Sequence, residues 1–259
     1  MSENKMMKRI NQEGQKLRQA KIVYDSKKYA TTNTFFNTAD IVLISVIDNE
    51  LGVLLIKRKE MPFQGSWAIP GGYVDANKDL DAEAAARREL AEETGISDVY
   101  LEQLYTFSTQ SRDPREMIAN HPVRIWSVAH FALIDYTKVH AVAGSDAGEV
   151  RWFKISELPE LAFDHEKIIS MSIDRVRGKL SYSNLGFELV PEEFTIPELQ
   201  EIFEKVMGEP LDRNNFRTKL LKMEILIATK KVKKGVGKPA PYYRLDRNKL
   251  KTLKGRSLF

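Results

Sequence analysis

The stretch Arg87-Arg88-Glu89-Leu90-Ala91-Glu92-Glu93-Thr94-Gly95 constrains this chain more than any other. Positions i, i+3 and i+4 of an α-helix share one face, so Glu89, Glu92 and Glu93 project together. Carboxylates so placed repel one another unless water or a cation screens them. Gly95 supplies the stop, because glycine accepts the left-handed conformation that closes a helix. An acidic helix face on its own reads as solvated surface. A hard divalent cation would instead turn the repulsion into attraction, since such ions take carboxylate oxygens together with water and phosphate. The surroundings decide between the two.

Ahead of the helix lie two strands and a glycine loop. Asp40 to Ile47 is a nearly continuous apolar run rich in β-branched residues, the pattern of a buried strand. Asp48-Asn49-Glu50 turns the chain, and Gly52 to Arg58 returns as a second strand. Loop residues Pro62 and Gly65 lead to Trp67-Ala68-Ile69-Pro70-Gly71-Gly72. The acidic helix is expected over Asp79 to Thr94, with Asp79 or Asp81 as its N-cap. Further strands are expected around Tyr100–Ser108, Arg124–Leu133 and Glu149–Phe153, and helices over Ser156–Leu161 and Glu166–Lys179. Residues 34–180 thus read as one mixed α and β unit, preceded over 1–33 by a polar, helical arm.

After a linker over 181–194 the pattern changes. Thr195-Ile196-Pro197-Glu198 offers an N-cap, a proline in the first turn and an acid three residues on. Leu199, Ile202, Phe203 and Val206 give that helix an apolar side. A second helix runs from Asp212 to about Met223. Then Ile225–Thr229, a loop with five lysines and two glycines over Lys230–Lys238, and Tyr242–Leu245 make a hairpin. Helix, helix and basic hairpin is the order of a winged helix over 195–259. Arg213, Asn214, Arg217 and Thr218 of the second helix are free for groove or phosphate contacts, and Lys230, Lys231, Lys233, Lys234 and Lys238 for the phosphate backbone.

Charge supports that division. From Leu211 to Phe259 there are 15 basic residues against 3 acidic, a balance of +12, while the first 210 residues carry 25 against 33, a balance of −8. A basic tail on an acidic body points to a polyanion partner, although a lysine-rich module that only mediates dimerisation has the same composition. The chain contains no cysteine, which excludes disulfide and thiolate chemistry and suits the cytoplasm. No apolar run approaches the length of a membrane span, and the charged start does not resemble a secretory signal.

With these residues in place the chain resembles the Nudix hydrolases, whose box runs G-x5-E-x7-R-E-U-x-E-E-x-G-U, U being aliphatic. Arg88-Glu89-Leu90-Ala91-Glu92-Glu93-Thr94-Gly95-Ile96 matches every fixed position of its second half. The first half departs: fifteen residues separate Gly72 from Arg88 where the box has thirteen, and Lys78 stands where it has glutamate. The resemblance implies an α+β fold, a Nudix α/β/α sandwich with a mixed sheet, here with a small winged helix appended. It also implies Mg²⁺ or Mn²⁺ held by Glu89, Glu92, Glu93 and Gly72, and water attack on a diphosphate. Arg88 would orient a glutamate, and Glu149 would serve as an extra ligand or base.

Arg112-Asp113-Pro114-Arg115 resembles the RDPR segment of Nudix proteins acting on ADP-ribose, and Leu161-Ala162-Phe163-Asp164-His165 resembles another segment of that subgroup. Arg112, Asp113 and Arg115, with Gly71 and Gly72, are therefore expected to bind substrate. The same Arg-Asp-Pro-Arg run also reads as a turn with a local salt bridge. His165 is expected to pack or cap a helix. The whole arrangement is similar to Nudix-related transcriptional regulators, in which a Nudix-like domain senses ADP-ribose or a sugar. Two expectations follow: a Mg²⁺-dependent hydrolase of ADP-ribose or a related compound, or a homodimeric regulator whose Nudix domain mainly senses that ligand. The intact acidic helix favours the first and the basic tail the second; the two are compatible, and the hydrolase stands ahead because its residues are the more specific signal.

Overall fold

The computed structural model describes residues 34–252, apart from 120–121, 140, 145–146, 181 and 234–238. The arm expected over 1–33 lies outside the described residues, as do Lys234 and Lys238. The body is built on a seven-stranded mixed sheet. Its strands are β1 (Thr34–Ile47), β2 (Glu50–Arg58), β3 (Trp67–Ala68), β4 (Gly71–Tyr73), β5 (Glu102–Phe107), β6 (Val123–Leu133) and β7 (Ala147–Lys154). β1 is central, parallel to β6 and antiparallel to β2 and β4, while β7 pairs with the other edge of β2.

Alternation along the strands decides which helix covers which face. From β1, Ile41 and Leu43 face α1 (Ala82–Thr94), meeting its Ala85, Ala86 and Leu90. Val42 and Ile44 face the other way, toward α3 (His165–Leu180) with its Ile168, Ile169 and Val176. That is a helix–sheet–helix sandwich, as expected. A one-turn helix, α2 (Arg115–Ile118), stands before β6.

The C-terminal unit consists of α4 (Ile196–Met207), α5 (Arg213–Lys222), the hairpin β8 (Leu226–Lys233) and β9 (Ala240–Leu245), and α6 (Arg247–Thr252). Thr195 and Glu198 form a reciprocal capping box at the start of α4, and Gly208 closes it at φ 78°. Gln200 donates to the Leu211 carbonyl at 2.9 Å and Glu204 accepts from the Leu211 N–H at 2.9 Å, which fixes the turn into α5. Phe203 and Phe216 meet edge to face at 5.8 Å across the two helices.

One expectation is corrected. No α-helix forms over Ser156–Leu161: a single 3₁₀ turn spans Ile155–Glu157, and Leu161 pairs with Trp67 in an isolated bridge. Pro159 removes a backbone donor where a longer helix would need one. The linker is packed along its described length. Its Leu185, Phe187, Leu189 and Val190 are buried in the same cluster as α3, α4 and the sheet, so one hydrophobic core runs through both units. No helix among the described residues is long and apolar enough to cross a membrane.

Candidate functional site

The candidate site is a cavity of about 290 Å³ between the Gly71–Gly72 strand, the acidic helix and the turn before α3. Strand β4 lays Gly72 and Gly71 opposite Ala39 and Asp40 of β1. Gly71 is required by the backbone, and a side chain at Gly72 would push the Glu89 carboxylate from its place. A Cβ on Gly71 would lie 2.5 Å from the Ala39 carbonyl oxygen, and one on Gly72 would lie 2.4 Å from the Glu89 carboxyl carbon. The Gly71 N–H donates to Glu93 Oε2 at 2.8 Å. The glycine loop and the helix are thus fastened to each other through a glutamate.

The three glutamates divide by environment. Glu89 and Glu93 line the cavity, whereas Glu92 does not and is largely exposed. Burial pushes the Glu93 carboxyl up to about 8, reinforced by the charges of Glu89 and Asp40; the Gly71 N–H and Arg58 pull the other way. Burial also raises Glu89, against the opposing effect of Arg88. Arg88 holds Glu89 at 2.7 Å and Glu92 at 3.0 Å, and it grips Asp79 through two 2.8 Å bonds.

The opposite wall carries the Arg-Asp-Pro-Arg segment. Arg112 donates to both oxygens of Asp164, at 2.7 and 3.1 Å, and lies 3.5 Å from Asp40. Arg115 pairs with Asp113 at 2.5 Å and lies over the rings of Tyr73 and Phe163. The salt bridge within the segment is therefore present, and Arg112, Asp113 and Arg115 line the cavity as well. The second segment reaches the cavity because the Ala162 N–H donates to the Trp67 carbonyl at 2.8 Å and the Ile69 N–H donates to His165 Nδ1 at 3.1 Å. His165 is thus a packing residue that anchors the strand before the glycine loop.

Besides Glu92 and Arg88, which stand behind the cavity on the acidic helix, Glu149 is not brought to the cavity. Glu149 sits on β7, pairs with Arg151, and is absent from the cavity wall. Arg151 is only two residues along the same strand, so its side chain projects to the same face and captures the carboxylate.

In the C-terminal unit Arg213, Asn214, Arg217 and Thr218 are exposed on α5, while Phe216 and Leu220 bury its other side. Lys230 is exposed. Lys231 and Lys233 are exposed too, but each pairs with an acid: Lys231 with Glu193 at 2.5 Å and Lys233 with Glu198 at 2.8 Å.

Comparison with known proteins agrees with both halves. Residues 37–171 match the NUDIX domain, and residues 186–245 match the NrtR DNA-binding winged helix domain. The chain belongs to the NUDIX family, in its NrtR group. It is 34% identical over 211 residues to the ADPR responsive transcriptional repressor NtrR of Acinetobacter baylyi, covering 80% of each. An ADP-ribose pyrophosphatase of Methanocaldococcus jannaschii is 37% identical over 145 residues, 56% of this chain and 77% of that protein. The crystal structure of Shewanella oneidensis NrtR complexed with a 27mer DNA aligns with a TM-score of 0.71 at 32% identity, over 85% of this chain and 97% of that one.

Several residues that line or brace this NUDIX cavity lie outside the sequence motifs. Asp79 is the carboxylate partner of Arg88, one position past the Lys78 that replaces the box glutamate. The turn Asp75–Asp79 absorbs the longer loop: the Asp75 N–H donates to Asp79 Oδ2 at 2.7 Å, and the Asp79 N–H donates to the Asp75 carbonyl at 2.8 Å. Asp40, buried on β1, accepts from Ser127 and faces Arg112. Arg58 and Phe163 stack at 4.9 Å on the cavity wall. A lone polar residue heading an apolar strand run was the available signal for Asp40; nothing local marks Arg58.

Proposed function

We propose that the cavity binds a nucleoside diphosphate sugar of the ADP-ribose class and that the winged helix binds duplex DNA, so that the chain works as a ligand-responsive regulator. The observation that carries this reading is the meeting of Arg112 and Arg115 with Glu89 and Glu93 in one cavity, on a chain whose second unit turns a basic helix face to solvent. Planar guanidinium groups suit diphosphate oxygens. Similarity to a repressor responsive to ADPR, over four-fifths of the chain, supports the same conclusion. Arg213, Asn214, Arg217 and Thr218 are the proposed groove and phosphate contacts, with Lys230, Lys231, Lys233, Lys234 and Lys238 along the backbone. A homodimer reading two half-sites is the proposed assembly.

Hydrolysis of the same ligand is a second reading, favoured by the Glu89–Glu93 pair against the glycine loop and by likeness to a pyrophosphatase. The donors present fit Mg²⁺ or Mn²⁺: they are carboxylate and backbone oxygens, and Glu93 is a buried carboxylate whose raised pKa a cation would relieve. Among the described residues no three acidic or histidine side chains converge to hold an ion unaided. Mg²⁺ does not require that, since it commonly takes one or two carboxylates and completes its shell with water and phosphate. A divalent ion held by these residues would supply neutralisation of diphosphate charge and activation of water. Glu89 and Glu93 would hold it beside Gly72, Arg88 would orient Glu89 and Glu92, and the arginines would fix the diphosphate.

Incubating the full chain with ADP-ribose and Mg²⁺, following AMP and ribose 5-phosphate while measuring binding by calorimetry, separates the readings. Saturable binding with little release supports the regulator; metal-dependent release lost in Glu93→Gln establishes the hydrolase. Absence of both binding and release would refute the ligand assignment.

A further inference from the structure

The basic side chains of the winged helix fall into two groups that differ in their partners. On α5, Arg213, Arg217 and Lys222 are exposed, and among the described residues no carboxylate pairs with them. On the hairpin Lys230 is likewise exposed and, among the described residues, has no carboxylate partner, whereas Lys231, Lys233 and Arg244 are all paired with acids. Both carboxylate oxygens of Glu193 are taken, one by Arg244 at 2.6 Å and the other by Lys231 at 2.5 Å, and Glu198 Oε1 accepts from Lys233 at 2.8 Å. The backbone explains why these acids reach the hairpin. Phe194 pairs with Tyr243 through reciprocal bonds of 3.0 and 2.7 Å, which lays the segment before α4 alongside β9. Glu193 is thereby set beside Arg244, and Glu198 follows in the first turn of α4.

We infer that Glu193 and Glu198 compete with DNA phosphate for Lys231 and Lys233, making α5 the standing DNA contact and these two hairpin lysines a second contact that forms only when the acids release them. This rests on the reading that the winged helix binds duplex DNA. Exposed ion pairs are individually weak, so phosphate can displace them, but each displacement leaves a glutamate near the DNA backbone. The acids therefore lower affinity in the free and the bound protein alike. They set how strongly the hairpin contributes to DNA binding, and they do so without touching DNA themselves.

The test compares the full chain with Glu193→Gln/Glu198→Gln on a fluorescent duplex of unselected sequence, by anisotropy across a salt series. Glutamine also serves in a capping box, so α4 keeps its start. A charge-matched control, Glu160→Gln/Glu166→Gln, alters two exposed acids of the body. The clasp predicts binding tighter by roughly three- to tenfold, as expected for two surface pairs. It also predicts a salt slope steeper by up to about 0.9 per lysine freed, with the control near wild type. Adding Lys231→Ala and Lys233→Ala to the glutamine variant should cancel the gain. Wild-type binding with unchanged affinity and slope in the glutamine variant overturns the clasp alone, and so does a gain that survives loss of both lysines or one that the control reproduces. Absence of DNA binding in every variant, with the fold intact by circular dichroism, refutes the DNA reading and the clasp with it.

Discussion

All five N–H donors of the Arg88 guanidinium are engaged: two on Asp79, one each on Glu89 and Glu92, and one on the Tyr73 carbonyl at 3.0 Å. The side chain is the junction of the glycine strand, the longer loop and the acidic helix. Its bonds hold Asp79 down to about 2. Replacing Asp79 with Ala leaves Arg88 and the Asp75 N–H without their partner. The expected cost is about 1–3 kcal/mol in urea denaturation, together with a higher Mg²⁺ concentration for half-maximal thermal stabilisation. Wild-type values for both would show that Asp79 positions nothing. His165 gives a pH dependence. Burial lowers its pKa from the ordinary 6.5, and Nδ1 accepts the Ile69 N–H, so the ring is neutral in the fold. The unfolded chain takes up a proton near 6.5 that the fold refuses, so stability present above that pH is lost as pH falls below it. His130 shifts in the same direction and contributes alongside. His165→Gln should flatten part of the decline in melting temperature between about pH 7 and 5; an unchanged profile removes His165 as a source.

Among the elements, those with a clear period were legible. Asp81, Gly95, Thr195, Glu198, Gly208 and Asp212 mark helix ends by local chemistry, and each sits at or beside a cap in the structure. The first half of β1 was not legible: Thr34 to Asp40 is polar and aromatic without alternation, and its partner β6 lies about ninety residues away. The cavity divides in the same way. Glu89 and Glu93 follow from helical spacing, whereas Asp40, Arg58 and Asp79 owe their roles to tertiary approach. Glu149, Lys231 and Lys233 carried the right charge, but the base or acid that captures each could not be read from charge alone. The exposed face of α5 needs no such partner. Arg213→Ala with Arg217→Ala should weaken DNA binding and reduce the salt slope by roughly 0.9 for each phosphate left unneutralised. The buried Phe216 and Leu220 keep the helix folded. An unchanged slope would place the DNA-binding surface somewhere other than α5.

At the scale of the whole molecule the decisive feature is the core shared by the two units. Val42, Ile44 and Leu55 of the sheet belong to one cluster with Ile168 and Val176 of α3 and with Leu199, Phe203 and Phe216 of the winged helix. Arg177 near the end of α3 adds a 3.0 Å bond to the Val206 carbonyl, and Lys138 bonds the Val190 carbonyl at 2.7 Å. Calorimetry should therefore show one transition, with van't Hoff and calorimetric enthalpies in agreement. Two resolved transitions would mean that the units melt independently. The shared cluster also bears on how such a chain is inherited and engineered. A winged helix cut out and grafted onto another body would carry away half of a hydrophobic surface, and it would fold there only if the new host offered side chains equivalent to Ile168, Ile173 and Val176 at the seam.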